Sequence, residues 1–127
     1  MTPKYRAWDK EFKEMVHVNA LVFDEQVIKA TYQNGSIVKE DVKNYELMQS
    51  TGLKDKNGRE IFEKDILDYN GRKVIVEWHG SYACFIYEFV DELKNRTTEW
   101  QPLYLSYYKF EIIGNIYENP EMLEGTE

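Results

Sequence analysis

Apolar and polar positions along the chain alternate in short runs, and the runs predict strands. Tyr5 to Trp8 reads as a short strand, Asp9 to Glu14 as a charged turn, and Met15 to Phe23 as a longer strand. Successive side chains of a strand point to opposite faces, so Val16, Val18, Ala20 and Val22 should share one face and Met15, His17, Asn19, Leu21 and Phe23 the other. Asp24-Glu25 turns the chain into a third strand, Val27 to Tyr32, and Asn34-Gly35 predicts a two-residue hairpin into Ser36 to Lys39. The first forty residues thus read as a β-meander. Asp41 to Ser50 fits one helical turn or an extended segment equally well, and Thr51 to Glu60 reads as a polar loop with a tight turn at Asn57-Gly58.

The second half continues in the same manner. Ile66 to Tyr69 and Lys73 to His79 should pair through a type I′ turn at Asn70-Gly71. Tyr82 to Val90 is apolar on both faces, with Ala83, Phe85, Tyr87 and Phe89 opposite Tyr82, Cys84, Ile86 and Val90. Such a strand needs cover on two sides, so it is either central in the fold or covered by a second chain, and the shortness of the chain favours the second chain. Asp91 to Trp100 reads as a charged turn or short helix, Leu103 to Phe110 and Glu111 to Tyr117 as strands, and Asn119-Pro120 as the end of the sheet. The expected core comprises Val74, Val76, Trp78, Phe85, Phe89, Ile112 and Ile116. The parts are a meander with its connecting segment at 1–49, a small β-barrel at 50–118 and an acidic tail at 119–127.

Composition narrows the class. Hydrophobic residues at 43% and aromatic ones at 15% supply enough apolar surface for a packed core. The start lacks the apolar region of a signal peptide and no run is long enough to span a membrane, so a cytoplasmic protein is expected. Cys84, the one cysteine, has no internal disulfide partner, in keeping with a reducing compartment. The net charge of −7 argues against nucleic-acid binding over the whole surface, since displacing counterions from phosphates needs a basic field. A local basic patch remains open at Arg72 and Lys73, with Tyr69, Trp78 and Tyr82 near in sequence, and at Lys54, Lys56 and Arg59.

A search for chemistry returns little. No phosphate loop, dinucleotide loop, zinc-protease motif or calcium loop occurs; Gly52 and Gly58 are one residue too far apart for the first. Glu77 and His79 share a strand face and could form an acid–base pair, although a histidine in a strand is ordinarily structural. The apolar neighbours of Cys84 would raise its pKa and bury the thiol, against a nucleophilic role. No catalytic residue, cofactor site or metal site is expected.

Three blocks carry a family resemblance: Lys4-Tyr5-Arg6-Ala7-Trp8-Asp9-Lys10, the stretch from Leu47 through Thr51-Gly52-Leu53 to Phe62-Glu63-Lys64-Asp65-Ile66, and Ile113-Gly114-Asn115-Ile116-Tyr117-Glu118-Asn119-Pro120-Glu121-Met122-Leu123. In order and spacing the chain resembles the YopX family of phage and prophage proteins. The resemblance implies a small β protein of unassigned activity and supplies no catalytic residues. The family pattern usually has Gly before Asp where this chain has Lys64-Asp65, so a positive φ there would be less favourable here. The Asp65-Ile66 segment, the Asn-Gly hairpin and Val74-x-Val76-x-Trp78 are also similar to the start of SH3-like barrels, which implies a mainly β fold, an N-terminal β-meander packed on a small SH3-like barrel.

The leading expectation is a non-enzymatic accessory protein in the host bacterial cytoplasm, away from membranes, acting through contacts with host or phage proteins. Homo-oligomers are expected through the strand bearing Tyr82, Cys84, Ile86 and Val90. A nucleic-acid-binding barrel using Lys54, Lys56, Arg59, Arg72 and Lys73 is the alternative, and an acidic mimic of nucleic acid that blocks a host protein is a weaker one.

Overall fold

A computed structural model describes residues 4–91 and 99–123. The fold is mainly β: 57% of those residues lie in strands and no helix reaches seven residues. No helix among them is long and apolar enough to cross a membrane. The chain divides into two compact units, Met1–Ser50 and Thr51–Glu127.

In the first unit, strands β1 (Tyr5–Asp9), β2 (Glu14–Val22), β3 (Val27–Thr31) and β4 (Ile37–Asp41) lead through a 3₁₀ turn at Val42–Asn44 into β5 (Tyr45–Lys54). The antiparallel order is β4-β3-β2-β1-β5. Ala7, Val16, Ile28, Ala30 and Tyr45 form the core, with Val18, Leu21, Tyr32 and Val38 packed on it. The expected alternation in β2 fails at one point. Val18 faces Ala30 but Ala20 faces Lys29, so Asn19 is an extra residue in the ladder. Such a bulge reverses the faces beyond it and brings Leu21 to the core side where Val22 was expected. The Asn34-Gly35 hairpin also differs from expectation. Tyr32 and Ser36 close a three-residue loop, with the Tyr32 N–H donating to the Ser36 carbonyl at 2.8 Å. Gly35 takes φ +90° while Asn34 stays at negative φ, which suits a three-residue loop and not a type I′ turn.

In the second unit the last residues of β5 pair with β6 (Glu60–Phe62), so part of the expected Thr51 to Glu60 loop is strand. A separate antiparallel sheet runs β10-β9-β8-β7-β11, from β7 (Asp65–Tyr69), β8 (Arg72–His79), β9 (Cys84–Phe89), β10 (Trp100–Pro102) and β11 (Glu111–Asn115). The Asn70-Gly71 turn forms as expected: both residues have positive φ, and Tyr69 pairs with Arg72 and Asp68 with Lys73. One face of this sheet holds Leu67, Val74, Val76, Tyr87 and Ile112 against Ile61, Leu103 and Phe110. The other buries Ile66, Ile75 and Val90 beneath Ile113, Ile116, Met122 and Leu123. Part of the expected acidic tail therefore packs, since Pro120–Leu123 is a 3₁₀ turn that brings Met122 and Leu123 onto the sheet.

Three further expectations are corrected. Leu103 to Phe110 is two 3₁₀ turns and not a strand. Both end residues are buried; an odd spacing of seven would point them to opposite faces of a strand, and the tighter coil turns both inward. Trp78 has the right parity to face Phe85, but it lies beyond the end of the core and is 48% exposed. Tyr82 and Ala83 belong to a turn, where the Ala83 N–H donates to the Gly80 carbonyl at 3.3 Å. Most of the expected turn or helix from Asp91 to Trp100 lies outside the described residues.

Candidate functional site

In the first unit the sheet curls enough that Tyr45 on β5 meets Tyr32 beyond β3 and Glu40 on β4, neither of them its ladder neighbour. Asp9 Oδ1 accepts from the N–H groups of Glu11 (2.9 Å) and Phe12 (3.1 Å), and Oδ2 accepts from the Tyr32 hydroxyl (2.5 Å). The hydroxyls of Tyr32 and Tyr45 are 2.5 Å apart, and Tyr45 also reaches Glu40 at 3.2 Å. Two hydroxyl protons thus serve three contacts, to Asp9 Oδ2, between the two phenols and to Glu40 Oε2. Burial pushes the Asp9 carboxyl up, but the bonds from Tyr32, Phe12 and Glu11 outweigh it and leave it below its ordinary value. Burial and then the bond to Asp9 raise the Tyr32 phenol far above its ordinary value, so it stays a neutral donor. The network ties β1, the turn after β3, β4 and β5 together across the curled sheet.

The same unit carries a cleft of about 330 Å³ lined by Leu21, Val22, Phe23, Gln26, Val27, Val42 and Leu47. Phe23 stands on it at 79% exposure. Leu21 lines the cleft beyond the Asn19 bulge, which is why simple alternation does not disclose the cleft.

The second unit holds a polar and aromatic cluster around the expected Glu77–His79 pair. Register sets it out in rows on one sheet face: Ile75, Glu88 and Trp100; then Glu77, Ile86 and Pro102; then His79 and Cys84. The rings of His79, Trp100 and Tyr82 are in mutual contact, with centroids 4.7 Å apart for His79–Trp100, 5.0 Å for Tyr82–Trp100 and 5.1 Å for His79–Tyr82. To reach His79 from its own row, the indole must cross the row of Ile86, which accounts for Ile86 being only 3% exposed. Lys64, just before β7, takes φ +69° and places Nζ 3.1 Å from Glu77 Oε1. Burial and then the Glu77 charge push the Glu88 carboxyl above its ordinary value, against a partial downward pull from His79 and Lys64. His79 Nδ1 is buried without a hydrogen-bond partner. Glu88, Trp100 and Lys64 were missed by sequence reasoning, since only the β9–β10 register and the turn before β7 bring them to Glu77 and His79.

The expected self-association strand is split by this geometry. Ile86 at 3% and Val90 at 2% exposure are covered within their own unit, Cys84 is half-buried, and only Tyr82 projects. The cations singled out for nucleic acid lie at two turns. Lys54, Lys56 and Arg59 flank the turn capped by Asp55, and Lys56 is 3.8 Å from Glu111. Arg72 and Lys73 open β8; Arg72 makes a two-pronged pair with Asp91 (2.7 and 3.2 Å) and lies 3.7 Å over the Phe89 ring. Trp78 is six residues along the same strand, on the order of 20 Å away, so it does not join those cations in one surface. Tyr69 packs on Phe89 and Phe110.

Comparison with known proteins returns one solved structure of note, described as the crystal structure of protein EF1440 from Enterococcus faecalis. It is 33% identical, with a TM-score of 0.63, and the match covers 98% of this chain and 99% of that one. No curated protein matches. The sequence model of the family described as YopX protein matches residues 4–124. The chain belongs to the YopX family.

Proposed function

We propose that the chain is a non-enzymatic phage or prophage accessory protein of the host cytoplasm that acts through protein contacts and associates with itself. The observation that carries this reading is the apolar cleft of the first unit with Phe23 standing exposed beside it. At about 330 Å³ the cleft lies at the small end of ligand pockets, so it suits one large side chain. Knob and hole lie on one surface, which is what a two-fold contact requires: each copy's Phe23 enters the other's cleft. Against enzymatic use of the Glu77–His79 pair stands the ion pair of Glu77 with Lys64. Light scattering at micromolar concentration should report a mass well above 15.2 kDa, and Phe23→Asp should return it to that value. A wild-type chain that scatters as a monomer would overturn the self-association reading.

A further inference from the structure

We infer that the face of the second unit bearing Glu88, Trp100 and His79 receives an arginine side chain from a partner protein. The inference rests on the reading of the chain as a protein-contact module, but on other residues than the Phe23 cleft. The Glu88 side chain is half-buried, and its carboxylate makes no hydrogen bond or ion pair with another described residue. A carboxylate in that position ordinarily takes donors, because partial desolvation without them is unfavourable. His79 Nδ1, in the same cluster, is a buried polar atom without a hydrogen-bond partner among the described residues. Between them runs the Trp100 indole, which starts beside Glu88 in the ladder and ends against His79.

An acid without donors beside an indole calls for a flat cation. A guanidinium has five N–H donors in one plane, can bond a carboxylate with two of them and stacks on aromatic faces, whereas an ammonium is a compact and strongly hydrated point charge. The cluster already shows the lysine solution at its other acid, since Lys64 holds Glu77 at 3.1 Å. Glu88 feels the Lys64 charge but makes no direct ion pair with it or with any other described residue. The upward push on the Glu88 carboxyl from burial and the Glu77 charge, opposed in part by His79 and Lys64, fits the same account. A protein source is favoured over free arginine because Tyr82, 66% exposed and in ring contact with Trp100, extends the surface beyond the reach of one side chain.

The test is an NMR titration of the full chain with a six-residue peptide carrying one central arginine, with its lysine counterpart, and with N-acetylarginine amide. The arginine peptide should shift the Trp100 indole N–H saturably, and it should bind more tightly than the amide. Both the lysine peptide and the Glu88→Gln variant should lose at least about tenfold in affinity. Trp100→Leu is the second variant, read from the backbone amide shifts of β9 because its indole is gone, and it is expected to lose binding too, should Glu88→Gln disturb the spectrum. Equal binding of the lysine peptide, or binding that survives Glu88→Gln in a folded protein, would overturn the assignment. An amide that binds as tightly as the peptide would overturn the protein source. Phe23→Asp should leave the titration unchanged, so a monomeric chain that still binds the peptide would refute only the self-association reading.

Discussion

Buried carboxylates in this chain organise turns before they do anything else, and Asp55 is the clearest case. It is almost fully buried, and its oxygens accept from the N–H groups of Asn57 (2.9 Å), Arg59 (2.9 Å) and Ile112 (3.0 Å). The first two close the Asn57-Gly58 turn, and the third ties that turn to β11. Burial pushes the carboxyl up, yet the three bonds prevail and hold it below the ordinary 3.8. A folded-state pKa depressed below the unfolded one contributes stability at neutral pH that is lost as pH falls through the folded value. Asp55→Asn should therefore cost on the order of 1–3 kcal/mol at pH 7 and show a shallower loss of stability below about pH 4, measured by urea unfolding. A variant with the wild-type acid limb would show that Asp55 does not set it. Lys64 is the opposite kind of residue, since its φ of +69° suits glycine better than any residue with a Cβ. Its pair with Glu77 is half-exposed, so it offsets little. Lys64→Gly should leave the unfolding free energy within about 1 kcal/mol of wild type, whereas Lys64→Val, β-branched at positive φ, should lower it by about 1–2 kcal/mol or more. Similar stabilities for the two variants would show that the backbone at that position relaxes.

At the level of elements, the sequence made the β7–β8 hairpin legible because Asn-Gly and period-two alternation specify the same register. Where the two signals were separated, reading failed for physical reasons. Asn19 inserts one residue into β2 and exchanges its faces, an event that no side chain announces. Leu103 and Phe110 are both buried anchors, and only their odd spacing hinted at coiled rather than extended chain. Trp78 has the correct parity and the wrong depth: alternation tells which face a residue takes, not how far the core extends beneath it. The site around Glu88 was illegible for a related reason, because β10 had to be paired before Trp100 could be placed next to that acid. Depth, unlike parity, can be measured by mutation. Val76 is fully buried between Tyr87 and the rest of its cluster, so Val76→Ala should cost on the order of 2 kcal/mol. Trp78→Ala deletes a far larger side chain but chiefly loses a ring contact with Phe85 at 5.0 Å, worth about 1 kcal/mol. Thermal unfolding should rank the small deletion above the large one, and the reverse order would place Trp78 in the core.

For the whole molecule the net charge of −7 and the exposed apolar side chains make opposite demands on association. Two like-charged chains repel at long range, and that repulsion weakens as added salt shortens the Debye length from about 30 Å at 0.01 M to about 8 Å at 0.15 M. An apolar contact made by Phe23 in the cleft is hardly screened over the same range. Self-association through that contact should consequently stay constant or tighten as salt rises. Binding to nucleic acid through Lys54, Lys56, Arg59, Arg72 and Lys73 would respond in the opposite sense, since each phosphate contact releases a counterion and the affinity falls with a slope of about −0.9 per contact on logarithmic axes for duplex DNA. The sign of the salt response thus separates the two modes of action without knowledge of the partner. Light scattering of the chain from about 0.01 to about 0.5 M sodium chloride should show an assembly that persists throughout. Phe23→Asp should abolish it at every salt concentration, because a carboxylate cannot enter an apolar cleft without an unfavourable desolvation. An assembly that dissolves with rising salt, or one that survives Phe23→Asp, would place the contact on charged residues and take the cleft out of it.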